Sequence, residues 1–212
     1  KAMVKAMVGR EITNQFPDHV NKSHDETVME ARNINAYNRM SRRKVVNDAS
    51  FKLKKGEVLG VAGLMGAGRT ELMLSIFGNP LGYDVSGELH LDGKKVGFSH
   101  PKDVIDRGVA YVSEDRKGNG LILMQDVKEN ITLVLEKTRG YSKETASKTA
   151  DENLAKLQLS DQAHKYPKNV SGGQAQRGSL ARALSLDPDT IFLDEPTSSL
   201  VIYVNTNPAG IK

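Results

Sequence analysis

From Glu57 to Gly78 the chain runs through an apolar segment, a cluster of glycines and a helix-spaced stretch, and no other region of the sequence restricts the fold so tightly. The run Glu57-Val58-Leu59-Gly60-Val61-Ala62 follows the turn residues Lys54-Lys55-Gly56 and reads as a buried strand. Gly63, Gly66 and Gly68 come next, three glycines in six positions. From Arg69 to Phe77, the spacing of Leu72, Leu74, Ile76 and Phe77 suits a short helix that closes at Gly78, with Pro80 just beyond. A strand that passes through glycines into a helix aims backbone N–H groups and the positive end of the helix at one point, and so can hold an anion.

The segment Gly63-Leu64-Met65-Gly66-Ala67-Gly68-Arg69-Thr70 matches the phosphate-loop pattern G-x-x-x-x-G-K-[ST] at every specified position but one, where Arg69 stands for lysine. Thr70 would put its hydroxyl on Mg²⁺. A guanidinium at Arg69 is bulkier, planar and differently directed from the compact ammonium that usually meets the γ-phosphate. Read alone, the same residues also suit a plain glycine-rich turn from strand to helix. A dinucleotide fingerprint fits less well, because Glu71 stands where its third glycine belongs.

Two further segments bear on the same chemistry. Thr190-Ile191-Phe192-Leu193-Asp194-Glu195 reads as an apolar strand that delivers two carboxylates at its end, Asp194 for Mg²⁺ through water and Glu195 to polarise an attacking water. Buried strands also end in acids without any catalytic role. Val170-Ser171-Gly172-Gly173-Gln174 opens a helix with a hydroxyl and uncovered N–H groups, a second anion-binding turn. A nucleotide has only one γ-phosphate, so the second turn is read as serving a nucleotide held by another copy or another domain, as in a nucleotide-sandwich dimer.

Elsewhere, the polar residues 1–30, with the duplicated Lys1-Ala2-Met3-Val4 and Lys5-Ala6-Met7-Val8, read as an inter-domain linker. Val45 to Leu53 alternates in part, Gly87 to Asp92 alternates into the hairpin signal Asp92-Gly93, and Pro101 to Arg107 reads as a helix feeding a strand at Val109–Val112. Helices are predicted over Val127–Lys137, Glu144–Leu159 and Gly172–Leu186, a helical insert spanning about residues 127–186. Strands alternating with helices predict an α/β domain with a largely parallel sheet.

With its phosphate loop, Ser171-Gly172-Gly173-Gln174 signature and Leu193-Asp194-Glu195-Pro196-Thr197 in that order, the chain resembles the ATP-binding subunit of an ATP-binding-cassette (ABC) transporter. Gly63 to Leu72, Ser113-Glu114-Asp115-Arg116-Lys117 and Met7-Val8-Gly9-Arg10-Glu11 narrow the resemblance to the second cassette of tandem ATPases that drive bacterial import of monosaccharides such as ribose, galactose and xylose. It covers about Met7 to Thr197. It implies a P-loop NTPase of the ABC type over residues 31–197, with a mostly parallel core, an antiparallel β subdomain, bound ATP and Mg²⁺, and ATP hydrolysis. It also implies a cytoplasmic location on the inner face of the membrane. The implied partners are a second cassette, sugar permease subunits and, indirectly, a sugar-binding protein. It places Gly63, Gly66, Ala67, Gly68, Arg69, Thr70 and Glu71 around the phosphates, and Glu114 where most cassettes carry the glutamine that senses Mg²⁺. It places Tyr37 as a candidate adenine-stacking aromatic ahead of the phosphate loop, although a plain surface or core tyrosine fits that residue equally. Past Thr197 the resemblance fails, so residues 198–212 read as an atypical or truncated tail, with the C-terminal part of the fold missing and the chain a fragment.

Composition sets the outer limits. A formal charge of +4 is too small to point to nucleic acid, the absence of cysteine removes disulfides and thiolate chemistry, and no run approaches the ~18 to 20 apolar residues of a membrane span. His19, His24, His90, His100 and His164 are scattered and read as solvated or capping residues, and Arg39, Arg42, Arg43 and Lys44 as a solvated loop. Two other functions compete with the leading one. One is a non-hydrolytic regulatory cassette that lends its signature to a partner's site; the other is a soluble cassette ATPase acting on nucleic acid or ribosomes.

Overall fold

The computed structural model describes residues 23–64, 66–97, 99–115 and 120–194. Two long strands, β1 (Thr27–Asn38) and β2 (Arg43–Lys54), pair antiparallel, and β1 starts inside the stretch read as a linker. β1 buries Met29 and Ala31 and then Ile34 and Ala36, so its inward phase moves from odd to even positions. Side chains alternate faces along a strand, and keeping both pairs in the core therefore takes one extra residue. The register shifts there against both neighbours, with Asn33 at φ 51 and Asp48 of β2 at φ 52. The bulge is tied by Asn33 Nδ2 donating to Asp48 Oδ1 at 2.8 Å and Asn33 N donating to Ser50 Oγ at 2.8 Å. Strands β3 (Asp84–Leu91) and β4 (Lys94–Val96), joined at Asp92-Gly93, complete a sheet of order β2-β1-β3-β4.

Helices α1 (Arg69–Ile76) and α2 (Pro101–Ile105) and the parallel strands β5 (Val109–Val112) and β6 (Thr190–Leu193) pack with this sheet. Ile34, Ile76, Leu89, Val104 and Phe192 belong to one continuous core. The domain is α/β with mixed sheets, as expected, but among the described residues the parallel sheet has two strands and the larger sheet is antiparallel.

The strand expected at Glu57–Ala62 does not form. The run pairs with no described strand, and Val58 is 73% and Val61 42% exposed. A strand exists only where a neighbour supplies the other half of the hydrogen-bond ladder, and a short apolar run carries no information about that neighbour.

A helical unit fills the span between β5 and β6: α3 (Val127–Arg139), α4 (Lys143–Lys156) and α5 (Gly172–Leu184). α3 opens on a capping box between Asp126 and Glu129 and ends at Gly140. Val127, Ile131 and Leu135, one turn apart on α3, pack with Ala146, Ala150 and Leu154 of α4. α5 approaches so closely that a Cβ at Gly178 would lie 3.3 Å from Val127 Cγ1. Its Leu180 and Ala183 also pack on Ala110 and Val112, which fastens the helical unit to the parallel strands.

Candidate functional site

The glycine loop is anchored at its helical end. Gly68 precedes α1 with φ 86, a conformation that costs an L side chain roughly 1 kcal/mol or more. A Cβ there would lie 2.3 Å from the carbonyl oxygen of Val45, so the bare glycine lets the loop rest on β2. Ala67 N donates to Leu64 O at 3.0 Å, and Leu72 N donates to Gly68 O at 2.8 Å, opening the helix. The N–H groups of Arg69, Thr70 and Glu71 stand ahead of that bond and take partners from outside the helix. A Cβ on Gly63 would lie 2.9 Å from Ala67 Cβ and 3.7 Å from Arg69 Cγ, so the arginine stem folds back across the mouth of the loop. Gly66 is exposed with φ 78.

Asp194 directly follows β6. Its N–H donates to Val112 O at 2.9 Å and its Oδ2 accepts from the Tyr111 hydroxyl at 2.7 Å, so β5 holds both its backbone and its carboxylate. The Tyr111 ring packs on Phe77, just past α1, with centroids 5.4 Å apart, and Phe77 meets Phe192 of β6 edge-on at 6.4 Å. Burial raises the Tyr111 phenol far above its ordinary pKa; the bond to Asp194 and the charges of Asp194, Glu114 and Glu71 push the same way, which keeps the hydroxyl a donor. Asp194 after β6 thus touches the phenol, while Glu114 after β5 and Glu71 of α1 act on it through their charge alone. Glu114 is exposed. Glu195 lies outside the described residues.

Ser171 sits on the helical unit, away from the loop's core. Its Oγ accepts from Gln174 N at 3.3 Å while its own N–H donates to Gln174 Oε1 at 2.8 Å, a capping box that leaves the exposed Gly172 and the half-buried Gly173 at the first two helical positions. Tyr37 is 41% exposed in β1, across from Lys44 and Asp84, and Val45, next to Lys44 on β2, is the residue under Gly68. Of the basic cluster, Arg39 pairs with Asp84 through a fork whose Nε bond is 2.6 Å. His100 caps α2 by accepting from Lys102 N at 3.1 Å.

Two residues that matter here escaped the sequence reading. Tyr111 looked like an ordinary strand residue, and only the pairing of β5 with β6 gives it a role. Asn130 carried a signal, a polar residue beside the buried stripe of α3. Its Oδ1 accepts from Ile122 N at 2.6 Å and its Nδ2 donates to Ile122 O at 3.1 Å, Gln125 O at 3.3 Å and Asp126 O at 2.9 Å, which shapes the loop that displays Ile122, Leu123 and Met124 to solvent.

A phosphate-type loop, an acid at the end of a neighbouring strand and a capped glycine turn on a helical insert define a nucleotide-binding cassette, and the chain belongs to the ABC transporter family, whose pattern matches residues 46–198. It is 40% identical over 204 residues to a xylose import ATP-binding protein of Thermoanaerobacter pseudethanolicus, covering 93% of this chain and 40% of that protein. It is 38% identical over 205 residues to an L-arabinose transport ATP-binding protein of Geobacillus stearothermophilus, with the same coverage of 93% and 40%. The chain thus spans about 40% of the length of these relatives. Among solved structures it shares its fold with MJ1267, an ATP-binding cassette of an ABC transporter, at a TM-score of 0.68 and 24% identity over 82% of this chain and 71% of that one. No helix among the described residues is long and apolar enough to cross a membrane.

Proposed function

We propose that this chain is the ATP-binding and ATP-hydrolysing second cassette of a tandem ATPase that energises a monosaccharide importer. The observation that carries the reading is the Tyr111–Asp194 pair at the ends of β5 and β6, packed on Phe77 just past α1, while Gly68 at the other end of that helix is seated on β2. The charge of Glu71, in the first turn of α1, bears on the same phenol, and in this reading Thr70 and the loop amides at that helix end take the phosphates of ATP while Asp194 faces the cation. The donors offered to a cation, the Thr70 hydroxyl and the Asp194 carboxylate, are all oxygen, which suits Mg²⁺. When bound, Mg²⁺ would neutralise charge on the β- and γ-phosphates. Glu195, one residue beyond Asp194, orients the attacking water. Arg69 adds a guanidinium in place of lysine, and Glu114 can only accept hydrogen bonds when ionised. The relatives' names, xylose import and L-arabinose transport ATP-binding proteins, support the sugar assignment and, with it, permease subunits as partners at the inner face of a membrane.

The Ser171 turn acts in trans in this reading. Its helix packs in different clusters from α1, and Ser171 and Gly172 are exposed, which supports assigning the γ-phosphate it meets to a nucleotide on the opposing cassette. Closure of the two cassettes around nucleotide is then the motor step. The test is Gly172→Asp in the assembled transporter: ATP turnover falls while nucleotide affinity at this chain's own loop is retained, and unaffected turnover overturns the trans role.

A second reading is favoured by Arg69 and Glu114, both departures from residues that touch the γ-phosphate. In it the cassette holds nucleotide without turnover and lends Ser171 to its partner. Phosphate release by the chain in Mg-ATP separates the two: turnover abolished by Glu195→Gln supports hydrolysis, and nucleotide binding without release supports the regulatory cassette.

A further inference from the structure

We propose that Tyr111 is a positioning residue that fixes the orientation of the Asp194 carboxylate and thereby sets the strength of the cation site at the end of β6. The inference rests on the assignment of Asp194 to Mg²⁺ made above and deepens it. A carboxylate one residue beyond a strand is free to rotate about Cβ–Cγ unless something holds it. Here the Tyr111 hydroxyl donates to Oδ2 at 2.7 Å, while Oδ1 takes no hydrogen bond from the described residues. One oxygen is thus occupied and the other is presented.

The phenol is itself held. Its ring lies against Phe77 at 5.4 Å with a 33° tilt, and Phe77 contacts Phe192, two residues before Asp194. Phe77, just past α1, thus stands against rings of both β5 and β6, and its contact with the Tyr111 ring aims the donor. The other acids close enough to act on the phenol, Glu71 and Glu114, have no proton to give it when ionised, and its single O–H is committed to Asp194. Asp194 is assigned to the cation through water, and outer-shell partners of a metal site commonly hold ~10- to 100-fold of its metal affinity.

Tyr111→Phe removes the hydroxyl and keeps the ring contacts. With Mn²⁺ as the probe, titrated into nucleotide-saturated chain and followed by electron paramagnetic resonance of the free ion, the variant is expected to weaken Mn²⁺ binding by about tenfold, the low end of that range. Nucleotide affinity in EDTA and the melting temperature stay at the wild-type values, which a purely structural role would not leave in place. Unchanged Mn²⁺ affinity overturns the proposal. Should the variant be less stable, Tyr111→Phe is placed on Asp194→Asn: no further loss of Mn²⁺ affinity supports action through Asp194, and an additive loss overturns it. Wild-type chain that binds nucleotide yet takes up no Mn²⁺ refutes the metal assignment itself, a failure distinct from that of Tyr111.

Discussion

The Ser171 turn is closed by residues three apart in sequence, with serine and glutamine each satisfying the other's backbone, and the helix behind it is buried on two sides by its own unit and the parallel strands. The Gly63–Thr70 loop depends instead on distant chain: Val45 lies beneath Gly68, and the approach from Glu57 to Ala62 has exposed apolar side chains and no strand partner among the described residues. Both turns are proposed to offer amides to an anion, yet one is assembled locally and the other is only as well formed as the sheet around it. A sequence motif marks a phosphate site without saying how much of the rest of the fold that site needs.

Four substitutions break or sharpen this contrast. The largest effect is expected from Gly68→Val, which puts a Cβ into the Val45 carbonyl at a left-handed φ; it should abolish nucleotide binding and destabilise the domain by about 1–3 kcal/mol or more in urea titrations. Retained binding would mean that the contact with β2 does not shape the loop. Ser171→Ala should cost about 1 kcal/mol, confined to the first turn of α5, so amide exchange should rise at Gly173 and Gln174 and not in β1. Exchange rising throughout the domain would show that the turn is not locally self-sufficient.

Thr70→Ala should leave thermal stability within about 0.5 kcal/mol, as for a small change away from packed features, while nucleotide binding loses its dependence on magnesium. An unaltered magnesium titration removes Thr70 from the site. The smallest effect belongs to a charge cluster made partly within one strand and partly across the strand pair, with its basic partners exposed to water. Arg32 first, and then Lys52 across the strand pair, hold the Glu30 carboxyl down at about 2. A depressed carboxylate contributes stability that is fully present above its unfolded value near 4.5 and lost as pH falls toward 2. The difference in melting temperature between wild type and Glu30→Gln should therefore be small at neutral pH, shrink with added salt, and vanish at the acid end. A difference that grows toward low pH would contradict the pairing.

Much of the helical unit was legible because helices announce themselves locally. Asp126 and Glu129, Ser142, and Ser171 and Gln174 mark helix starts, Gly140 marks an end, and the spacing of Val127, Ile131 and Leu135 gives the buried face. Strand partnership was the opaque part. Thr190 to Leu193 and Glu57 to Ala62 are similar apolar runs, but the first found β5 and the second has no partner among the described strands, a difference carried by residues far away in sequence. The β1 bulge was hidden for a related reason, since its one-residue change of phase is visible only once the core face is known. Within the proposed site, the glycines, Thr70, Asp194 and the Ser171 turn were candidates by type and spacing. Tyr111 could not, because its partner is held beside it only by the pairing of β5 with β6.

Asn130 shows how much can hang on the identity of one atom. Its amide nitrogen faces three carbonyl oxygens and its amide oxygen faces the Ile122 N–H. Aspartate has the same outline and lies one base away from asparagine in the genetic code, yet it would bring an oxygen against those three carbonyls where a donor is required. A single-base error could thus leave every helix cap and apolar stripe of the chain intact and still erase the shape of the loop that carries Ile122, Leu123 and Met124. That shape is written in the difference between a nitrogen and an oxygen, which no measure of size, hydropathy or helix propensity would register.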